Sequence, residues 1–160
     1  MIIIDYSQTV ISSIMAELSI KKEKKLEVNL IRHMVLNSIR SYIKEFKEEY
    51  GSGVIIACDS RKYWRKDIFP NYKANRKKYR EQSGLDWNII FDTINLLKRE
   101  IDDNLPYNLI EIEGAEADDI IATYVQRIKQ PSDKVLIISA DHDFMQLHKY
   151  PNVKQWSSTK

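Results

Sequence analysis

The sequence predicts an α/β protein in which a mostly parallel central sheet is covered by helices on both faces. Short apolar runs alternate along the chain with longer segments of helical periodicity, a pattern typical of parallel sheets. A length of 160 residues, with 43% apolar and 30% charged residues, fits one globular domain. Carboxylates follow several predicted strands, which indicates a functional site at one edge of the sheet.

Five short apolar runs predict the strands. Three of them are continuous stretches of Ile, Val, Leu and Ala, typical of strands that are buried on both faces. Their shortness and their polar flanks favour strands over helices. In chain order, the predicted strands span residues 2–5, 54–59, 107–112, 135–139 and 153–156.

Between these runs, apolar residues recur at intervals of three and four, the spacing of amphipathic helices. Ser7 is a candidate N-cap of the first helix, residues 20–25 form a charged connector, and Gly51 ends the second helix. Trp87 and Phe91 belong to the apolar stripe of the third helix. In chain order, the predicted helices span residues 7–18, 28–50, 86–102, 116–129 and 141–148.

The segment 61–82 is strongly basic and rich in aromatic residues. From Arg61 to Arg80 it holds nine Lys or Arg residues against one acid, Asp67, although the net charge of the whole chain is only +2. Pro70 divides it, so that two short helices and an ordered loop are both compatible with the sequence. Cations interleaved with Tyr and Trp are typical of segments that bind phosphates and stack on unpaired bases. The alternative is a solvated helix face whose aromatic residues contact the core.

Composition excludes several other classes of protein. Only four Gly and four Pro argue against long disordered stretches, and the single Cys58 excludes an internal disulfide and a cysteine-rich zinc site. No apolar run is long enough to cross a membrane, and the first residues lack the features of a signal peptide. We therefore expect a cytoplasmic protein, of a cell or of a virus-infected host cell, without a membrane partner.

Seven carboxylates lie where predicted strands end or predicted helices begin. Each one alone is explained as an N-cap or a first-turn acid, but together they come from four separate places in the chain. Because the carboxyl ends of parallel strands meet at one edge, we expect these acids in one crevice, where a hard cation such as Mg²⁺ or Mn²⁺ keeps them ionised. The candidate metal ligands are Asp5, Asp59, Glu116, Asp118, Asp119, Asp141 and Asp143.

The spacing of the acids along the helix predicted at 116–129 distinguishes their roles. Glu116 and Asp119 are three residues apart and share one face, so we expect both to point at the metal. Asp118 lies further round the helix, and we expect it to act through water or from outside the ligand shell.

A metal site made of carboxylates suits phosphoryl transfer, because metal-bound water supplies the nucleophile and no protein nucleophile is needed. The sequence contains neither G-x-S-x-G nor a glycine-rich phosphate loop. His33, His142 and His148 lack the spacing of metal ligands. The expected reaction is therefore the hydrolysis of a phosphodiester.

Several segments occur in an order seen in a known family. They are the strands that end in Asp5 and in Asp59, followed by Tyr72-Lys73-Ala74-Asn75-Arg76, Glu116-Ala117-Asp118-Asp119 and Ser139-Ala140-Asp141-His142-Asp143-Phe144. With these segments, the chain resembles the 5′-nucleases of the flap endonuclease family. Residues 63–65 and 146–156 are similar to its phage branch, the ribonucleases H of T-even-type bacteriophages.

The resemblance implies a PIN-like three-layer fold in which residues 1–160 form the N-terminal 5′-nuclease domain and residues 61–82 an arch-like insertion. It also implies that the C-terminal DNA-binding part of the family, with further acids for a second metal, is absent from this chain. We therefore expect a fragment, a split gene product or a reduced homologue, with Asp143 facing an incomplete second site. Weak or absent activity of this chain alone is the corresponding expectation.

The resemblance also implies residue roles. All seven carboxylates would match metal-binding acids of the family, and Asp118 is the weakest of these matches because the phage branch can carry Asn there. The implied catalytic residues are Asp5, Asp59, Lys73, Arg76, Asp119 and Asp141, in which the two cations hold the scissile phosphate. The candidate nucleic-acid-binding residues are Tyr63, Arg65, Lys66, Tyr72, Lys73, Arg76, Lys77 and Arg80.

The implied activity is that of a Mg²⁺-dependent (or Mn²⁺-dependent) 5′-to-3′ nuclease that acts on RNA–DNA hybrids and 5′-flap DNA and removes primers in phage-type DNA replication. A single-stranded-DNA-binding protein and a sliding clamp are the implied protein partners. Two alternatives stay open. One is a nucleic-acid-binding or replication-docking module without activity, and the other is a small PIN-type RNase that prefers structured RNA.

Overall fold

A computed structural model describes residues 1–20, 27–127 and 132–157 of the chain. The strands are β1 (Ile2–Asp5), β2 (Val54–Cys58), β3 (Asn108–Glu111), β4 (Val135–Ile138) and β5 (Val153–Trp156). The helices are α1 (Tyr6–Ile20), α2 (Val28–Tyr50), α3 (Arg65–Ile68), α4 (Asn75–Gln82), α5 (Trp87–Asn104) and α6 (Ala117–Arg127), and a 3₁₀ helix spans His142–Lys149.

The five strands form one parallel sheet in the order β3-β2-β1-β4-β5. Strand β1 lies in the centre, with Ile3 opposite both Ile55 of β2 and Ile137 of β4. Since all strands run in the same direction, their carboxyl ends lie along one edge of the sheet. From β1 the chain adds β2 and β3 on one side of the sheet, and then β4 and β5 on the other side. Ligand crevices form where the chain changes sides in this way.

Each strand contributes to two cores, because successive side chains point to opposite faces of the sheet. Ile2 and Ile4 of β1 pack on one face with residues of α1, α2 and α5. Ile3 packs on the other face with Ile121 of α6 and Phe144 of the 3₁₀ helix. The continuous burial of β1, β2 and β4 follows from this three-layer arrangement.

The basic segment folds as two short helices, α3 and α4, joined by turns that contain Pro70. Its beginning is tied to the loop before α6. Tyr63 forms an isolated parallel bridge with Gly114, whose φ of 83° is one that glycine adopts without strain. The Trp64 amide donates a hydrogen bond to the Gly114 carbonyl at 2.9 Å. The segment is thereby anchored beside the carboxyl edge of the sheet.

Two expectations about local structure were wrong. Asp5, rather than Ser7, precedes α1, and its carboxylate accepts the Gln8 amide at 3.2 Å. Phe91 was expected on the buried stripe of α5 but is 39% exposed, because the fully buried residues of that helix lie on another face.

The remaining predicted elements agree with the structure to within two residues at each end, and three of them (2–5, 28–50 and 153–156) coincide with it. The charged connector at 20–25 and the end of the helix predicted at 116–129 lie mostly outside the described residues. Among the residues that the structure describes, no helix is both long and apolar enough to span a membrane.

Candidate metal centre and nucleic-acid interface

Asp5 lies at the carboxyl end of the central strand and is buried. Its carboxylate accepts hydrogen bonds from the Gln8 amide at 3.2 Å and from the Ser139 hydroxyl at 3.0 Å. The pKa of Asp5 is raised to about 7, mainly because the carboxyl is buried; the charges of Asp59 and Asp118 also raise it, whereas the two hydrogen bonds lower it. Asp5 is thus a buried acid that needs a cation to stay ionised at neutral pH.

Asp59 follows β2 and lies beside the first turn of α6. Its Oδ1 accepts the Ala117 amide at 2.8 Å, so Asp59 satisfies one of the free N–H groups of that helix. This contact fixes the beginning of α6, and the acids of its first turn, against the end of β2.

Asp118, Asp141 and Asp143 form the tightest group of carboxylates. One oxygen from each of the three lies within 4.8 Å of the others. Asp141 caps the 3₁₀ helix by accepting the Asp143 amide at 2.9 Å, and its own amide donates to the Ser139 hydroxyl at 3.1 Å. The turn after β4 therefore points two carboxylates towards the first turn of α6.

The group is electrostatically strained. The pKa of Asp118 is raised to about 6, mainly by burial; the charges of Asp141, Asp59 and Glu116 also raise it, whereas that of Lys73 lowers it. The acids are close enough to raise one another's pKa, which shows that carboxylates from all four places in the chain lie in one crevice. The donor set consists of oxygen atoms alone, which is the chemistry that Mg²⁺ and Mn²⁺ prefer.

Glu116 and Asp119 are already held by cations of the basic segment. Arg65 forms a two-pronged pair with Asp119 at 2.8 Å and contacts Glu116 at 2.9 Å. Lys73 Nζ lies 2.6 Å from the other oxygen of Glu116, and Trp64 Nε1 donates to Asp119 at 3.2 Å. Both carboxylates therefore have salt-bridge partners within the chain.

These contacts lower the pKa of Asp119. Burial acts in the opposite direction, but the hydrogen bonds from Arg65 and from the Glu116 amide, and the charge of Arg65, outweigh it. We expected Asp119 to point at the metal and Asp118 to lie outside the ligand shell. In the structure, Asp118 faces the other carboxylates, whereas Asp119 faces Arg65. Helical spacing could not show this difference, because it depends on the position of a loop distant in sequence.

Lys73 is placed at the rim of the crevice by an uncommon backbone conformation. Its φ of 56° lies in the left-handed region, which non-glycine residues rarely adopt. The side chain also lies near the rings of Tyr72 and Tyr63, with its Nζ 5.0 and 5.8 Å from their centroids. Strained conformations are often found at functional sites, where the surroundings hold them.

The other cations proposed to bind nucleic acid take no part in the salt bridges to Glu116 and Asp119. Lys66, Arg76 and Lys77 are exposed, and Arg80 is half-buried against the aromatic rings at the start of α5. The structure therefore separates the basic segment into two groups: Arg65 and Lys73 contact the acids, and the later cations form a surface beside them.

Sequence reasoning missed several supporting residues. Ser139 joins Asp5 to the Asp141 turn through its hydroxyl, and Gln155 of β5 donates to the carbonyls of Ser139 and Asp141 at 2.8 and 2.7 Å. The sequence showed Trp64 only as part of the motif 63–65 and did not predict its hydrogen bond to Asp119. The one available signal for Ser139 was its position directly after a predicted strand and close to two acids.

Comparison with known proteins decides the family. Residues 1–160 match the family described as 5′-3′ exonuclease, N-terminal resolvase-like domain. The chain belongs to this 5′-3′ exonuclease family. It is 40% identical over 157 residues to the ribonuclease H of enterobacteria phage T4, covering 97% of this chain and 51% of that protein.

Two further relatives are less similar to this chain. A 5′-3′ exonuclease of Streptomyces coelicolor is 32% identical over 135 residues, covering 81% of this chain and 42% of that protein. The flap endonuclease Xni of Vibrio vulnificus is 30% identical over 122 residues, covering 73% and 43%. The chain thus spans about half the length, or less, of the curated relatives it matches.

Solved structures confirm the fold of this member of the 5′-3′ exonuclease family. The T5 D15 protein co-crystallized with metal ions aligns over 99% of this chain and 55% of its own, with a TM-score of 0.73 and 23% identity. The T5 D15 flap endonuclease in a complex with DNA and metal ions aligns with a TM-score of 0.68, 22% identity and coverage of 99% and 54%. The expected PIN-like fold, with a mostly parallel sheet between helices, is confirmed.

Proposed function

We propose that this chain is a divalent-metal-dependent 5′-nuclease domain that hydrolyses phosphodiesters in 5′-flap DNA and RNA–DNA hybrids. The observation that carries the proposal is the convergence of Asp118, Asp141 and Asp143 at the carboxyl edge of the sheet, next to Lys73. Membership of the 5′-3′ exonuclease family supports the reaction class. In this proposal residues 1–160 act as one domain, with 61–82 as its arch-like segment.

The donor set fits Mg²⁺ or Mn²⁺. Asp118, Asp141 and Asp143 would hold the ion directly, and the buried Asp5 and Asp59 would complete the anionic crevice. When bound, the ion supplies a water molecule of lowered pKa and neutralises charge on the phosphate. Glu116 and Asp119 would take part either directly, after exchange of their salt bridges, or through Arg65 and Lys73.

The chain's own cations would act on the substrate. Lys73 reaches the rim of the crevice, where it is suited to stabilise a phosphate as negative charge builds on it. Arg76 is exposed at the first turn of α4 and would hold a neighbouring phosphate. Tyr63 and Tyr72, whose rings meet edge to face at 5.9 Å, would border the path of the strand.

The proposed substrates imply that the protein acts in DNA replication. Primer removal would place the protein in the cytoplasm, of the host if the protein is phage-encoded, beside a single-stranded-DNA-binding protein or a sliding clamp. These partners rest on the resemblance to the family alone, and they are tested by direct binding assays with purified proteins.

The decisive experiment is cleavage of a 5′-flap substrate and of an RNA–DNA hybrid with Mg²⁺ or Mn²⁺. We expect products with 5′-phosphates, and a loss of at least ~100-fold in rate for Asp59→Asn and for Asp141→Asn. Asp92→Asn, an exposed acid on α5, is the matched control and retains the wild-type rate. Equal cleavage by all three variants would disprove the metal assignment.

A second candidate is a nucleic-acid-binding module without catalytic activity. It is favoured by one observation: Arg65 and Lys73 already neutralise Glu116 and Asp119. This candidate predicts that the wild-type chain binds flap DNA but cleaves none of it with either metal ion. It also predicts that Asp141→Asn leaves the affinity for DNA unchanged.

A further inference from the structure

The turn between β4 and the 3₁₀ helix carries Asp141 and is held by two uncharged residues. Ser139 directly follows β4 and is only 1% exposed. Gln155 is a half-buried residue of β5, the strand at the edge of the sheet beside β4. Neither residue belongs to the candidate metal ligands, and β5 contributes no acid to the crevice.

The Gln155 side chain contacts this turn from β5. Its Nε2 donates to the carbonyl of Ser139 at 2.8 Å and to the carbonyl of Asp141 at 2.7 Å. Because a primary amide has two N–H donors, one side chain satisfies two carbonyls that lie two residues apart. Gln155 thereby fixes the backbone that carries the Asp141 carboxylate relative to the sheet.

The Ser139 hydroxyl links the same turn to the central strand. It donates to Asp5 Oδ2 at 3.0 Å and accepts the Asp141 amide at 3.1 Å. The Ser139 amide donates to the Trp156 carbonyl at 3.1 Å, which extends the pairing of β4 with β5 past the end of β4. Hydrogen bonds therefore run without interruption from β5 through the turn to the end of β1.

These bonds act against the repulsion within the crevice. Carboxylate oxygens of Asp118, Asp141 and Asp143 lie within 4.8 Å of one another, so the ionised groups repel while no cation is bound. The repulsion favours a displacement of the turn away from α6. Such a displacement breaks the bonds of Ser139 and Gln155, so that the two residues hold the acids together before an ion arrives.

We propose that Ser139 and Gln155 are positioning residues of the metal centre, which keep the Asp141 carboxylate beside Asp118 so that a divalent ion meets a formed site. The inference rests on the proposed function and extends the site to β5. Removing a group that orients a metal ligand typically weakens metal binding by ~10- to 100-fold, which sets the size of the expected effects.

The test is the affinity of the whole chain for Mn²⁺, measured by calorimetry at neutral pH, with folding checked by circular dichroism. Gln155→Met keeps the length of the side chain but removes both donors, and we expect it to weaken Mn²⁺ binding ~10-fold or more. Gln126→Met is the matched control, since Gln126 is exposed on α6. It should change the affinity less than ~2-fold.

A pair of buried serines separates positioning from general stability. Ser139→Ala removes the bonds to Asp5 and Asp141, whereas Ser13→Ala removes a buried hydroxyl that donates to the Thr9 carbonyl at 2.9 Å within α1. Ser139→Ala should weaken Mn²⁺ binding ~10-fold or more, and Ser13→Ala less than ~2-fold. Equal affinities for the two alanine variants would overturn the role of Ser139, as a wild-type affinity of Gln155→Met would overturn that of Gln155.

A double-variant cycle tests whether Gln155 acts through Asp141. Asp141→Ala removes the carboxylate that is to be positioned, so adding Gln155→Met to it should weaken Mn²⁺ binding by less than ~2-fold further. Additive losses would mean that Gln155 supports the fold and not the acid, and would overturn the proposal.

The same measurements distinguish failure of the positioning proposal from failure of the proposed function. If Asp141→Ala binds Mn²⁺ as tightly as the wild type does, or if the wild type binds none, the metal centre itself is wrong and the positioning roles fall with it. If Asp141→Ala weakens binding but Ser139→Ala and Gln155→Met do not, the metal centre stands and only the positioning roles are overturned.

Discussion

Asp118 and Asp119 are neighbours in sequence but have opposite electrostatic surroundings. Asp118 faces other carboxylates and has a raised pKa, whereas Asp119 is bound by Arg65 and has a lowered pKa. The acid that lacks a salt bridge gains most from a divalent ion. The acid that already has one must give up Arg65 before it can bind the ion.

The two acids should therefore differ in their effect on metal affinity. We expect Asp118→Asn to weaken Mn²⁺ binding at least ~10-fold, because it removes one of three converging carboxylates. Asp119→Asn should weaken it less, since its oxygens contact Arg65, Trp64 and the Glu116 amide. Calorimetric titration of the metal-free variants measures both constants, with Asp92→Asn as the control. A larger loss for Asp119→Asn would show that Arg65 leaves the acid when metal binds.

Asp5 should make the stability of the metal-free chain depend on pH. Its pKa in the folded chain, about 7, is higher than that of an ordinary Asp, so the folded state holds a proton that the unfolded state releases. This contribution to stability is fully present below pH ~4 and is lost as the pH rises through 7, by ~1–3 kcal/mol. Asp118, with a pKa of about 6, adds a smaller loss in the same direction.

Thermal unfolding in EDTA between pH 5 and pH 8 measures this effect. The melting temperature of the wild type should fall as the pH rises, and Asp5→Asn should reduce the slope because it cannot ionise. Asp92→Asn should keep the wild-type slope, since this acid is exposed. Parallel curves for the wild type and Asp5→Asn would contradict the raised pKa.

At the residue scale, sequence patterns predicted which acids lie at the carboxyl edge of the sheet better than they predicted the hydrogen-bond partners of those acids. The position of Asp5, Asp59 and Asp141 after strands was sufficient to place them at one edge. The pairing of Asp119 with Arg65 was not predictable, because it depends on how the segment after β2 folds back over α6. The roles of Ser139 and Gln155 as hydrogen-bond partners were hidden for the same reason.

At the scale of elements, α1 is joined to α5 by a buried hydrogen bond. The Tyr6 hydroxyl donates to the Ile94 carbonyl at 2.7 Å, and Tyr6 is only 1% exposed. Burial raises the pKa of Tyr6, so the phenol stays protonated and available as a donor. This contact fixes the start of α1, directly after Asp5, against α5.

Tyr6→Phe should lower the free energy of unfolding by ~0.5–1.5 kcal/mol, because it removes one buried hydrogen bond and little packing. Urea denaturation at constant pH measures the change. Tyr79→Phe, at a 72% exposed position, is the control and should stay within ~0.5 kcal/mol of the wild type. If both variants matched the wild type, the bond would not stabilise the fold.

Strands and long helices were predictable because their patterns are local. The Ile and Val runs of β1, β2 and β4 and the apolar spacing of α2 repeat over whole elements. The basic segment was less predictable, since Lys73 adopts a left-handed backbone conformation before the start of α4 and forms a salt bridge with Glu116. The exposure of Phe91 likewise depends on which face of α5 the core occupies.

At the scale of the whole molecule, the sheet order explains how acids distant in sequence meet. Strands β1, β2 and β4 are adjacent, and the turns that follow them carry Asp5, Asp59 and Asp141 to neighbouring positions. Helix α6 packs below β1 and β2 and brings its first turn to the same edge. Parallel strands joined by helices are therefore sufficient to bring these acids together.

Binding of a divalent ion at this edge should stabilise the whole fold. Mn²⁺ at about 100 times its dissociation constant adds ~2.7 kcal/mol to the free energy of unfolding. The gain should be largest at neutral pH, where the acids repel one another most. Thermal unfolding with and without Mn²⁺ measures it; the double variant Asp118→Asn/Asp141→Asn should lose the gain and Asp92→Asn should keep it. A gain unchanged in the double variant would place the ion elsewhere.

The most direct test of the metal centre is the anomalous diffraction of crystals that contain Mn²⁺. We predict a peak in contact with carboxylate oxygens of Asp118 and Asp141, at the ~2.0–2.2 Å typical of oxygen ligands to such ions. Data from Asp118→Asn/Asp141→Asn crystals prepared in the same way should lack that peak. Wild-type crystals with no peak in the acidic crevice at saturating Mn²⁺, or with an equal peak in the double variant, would contradict the metal centre.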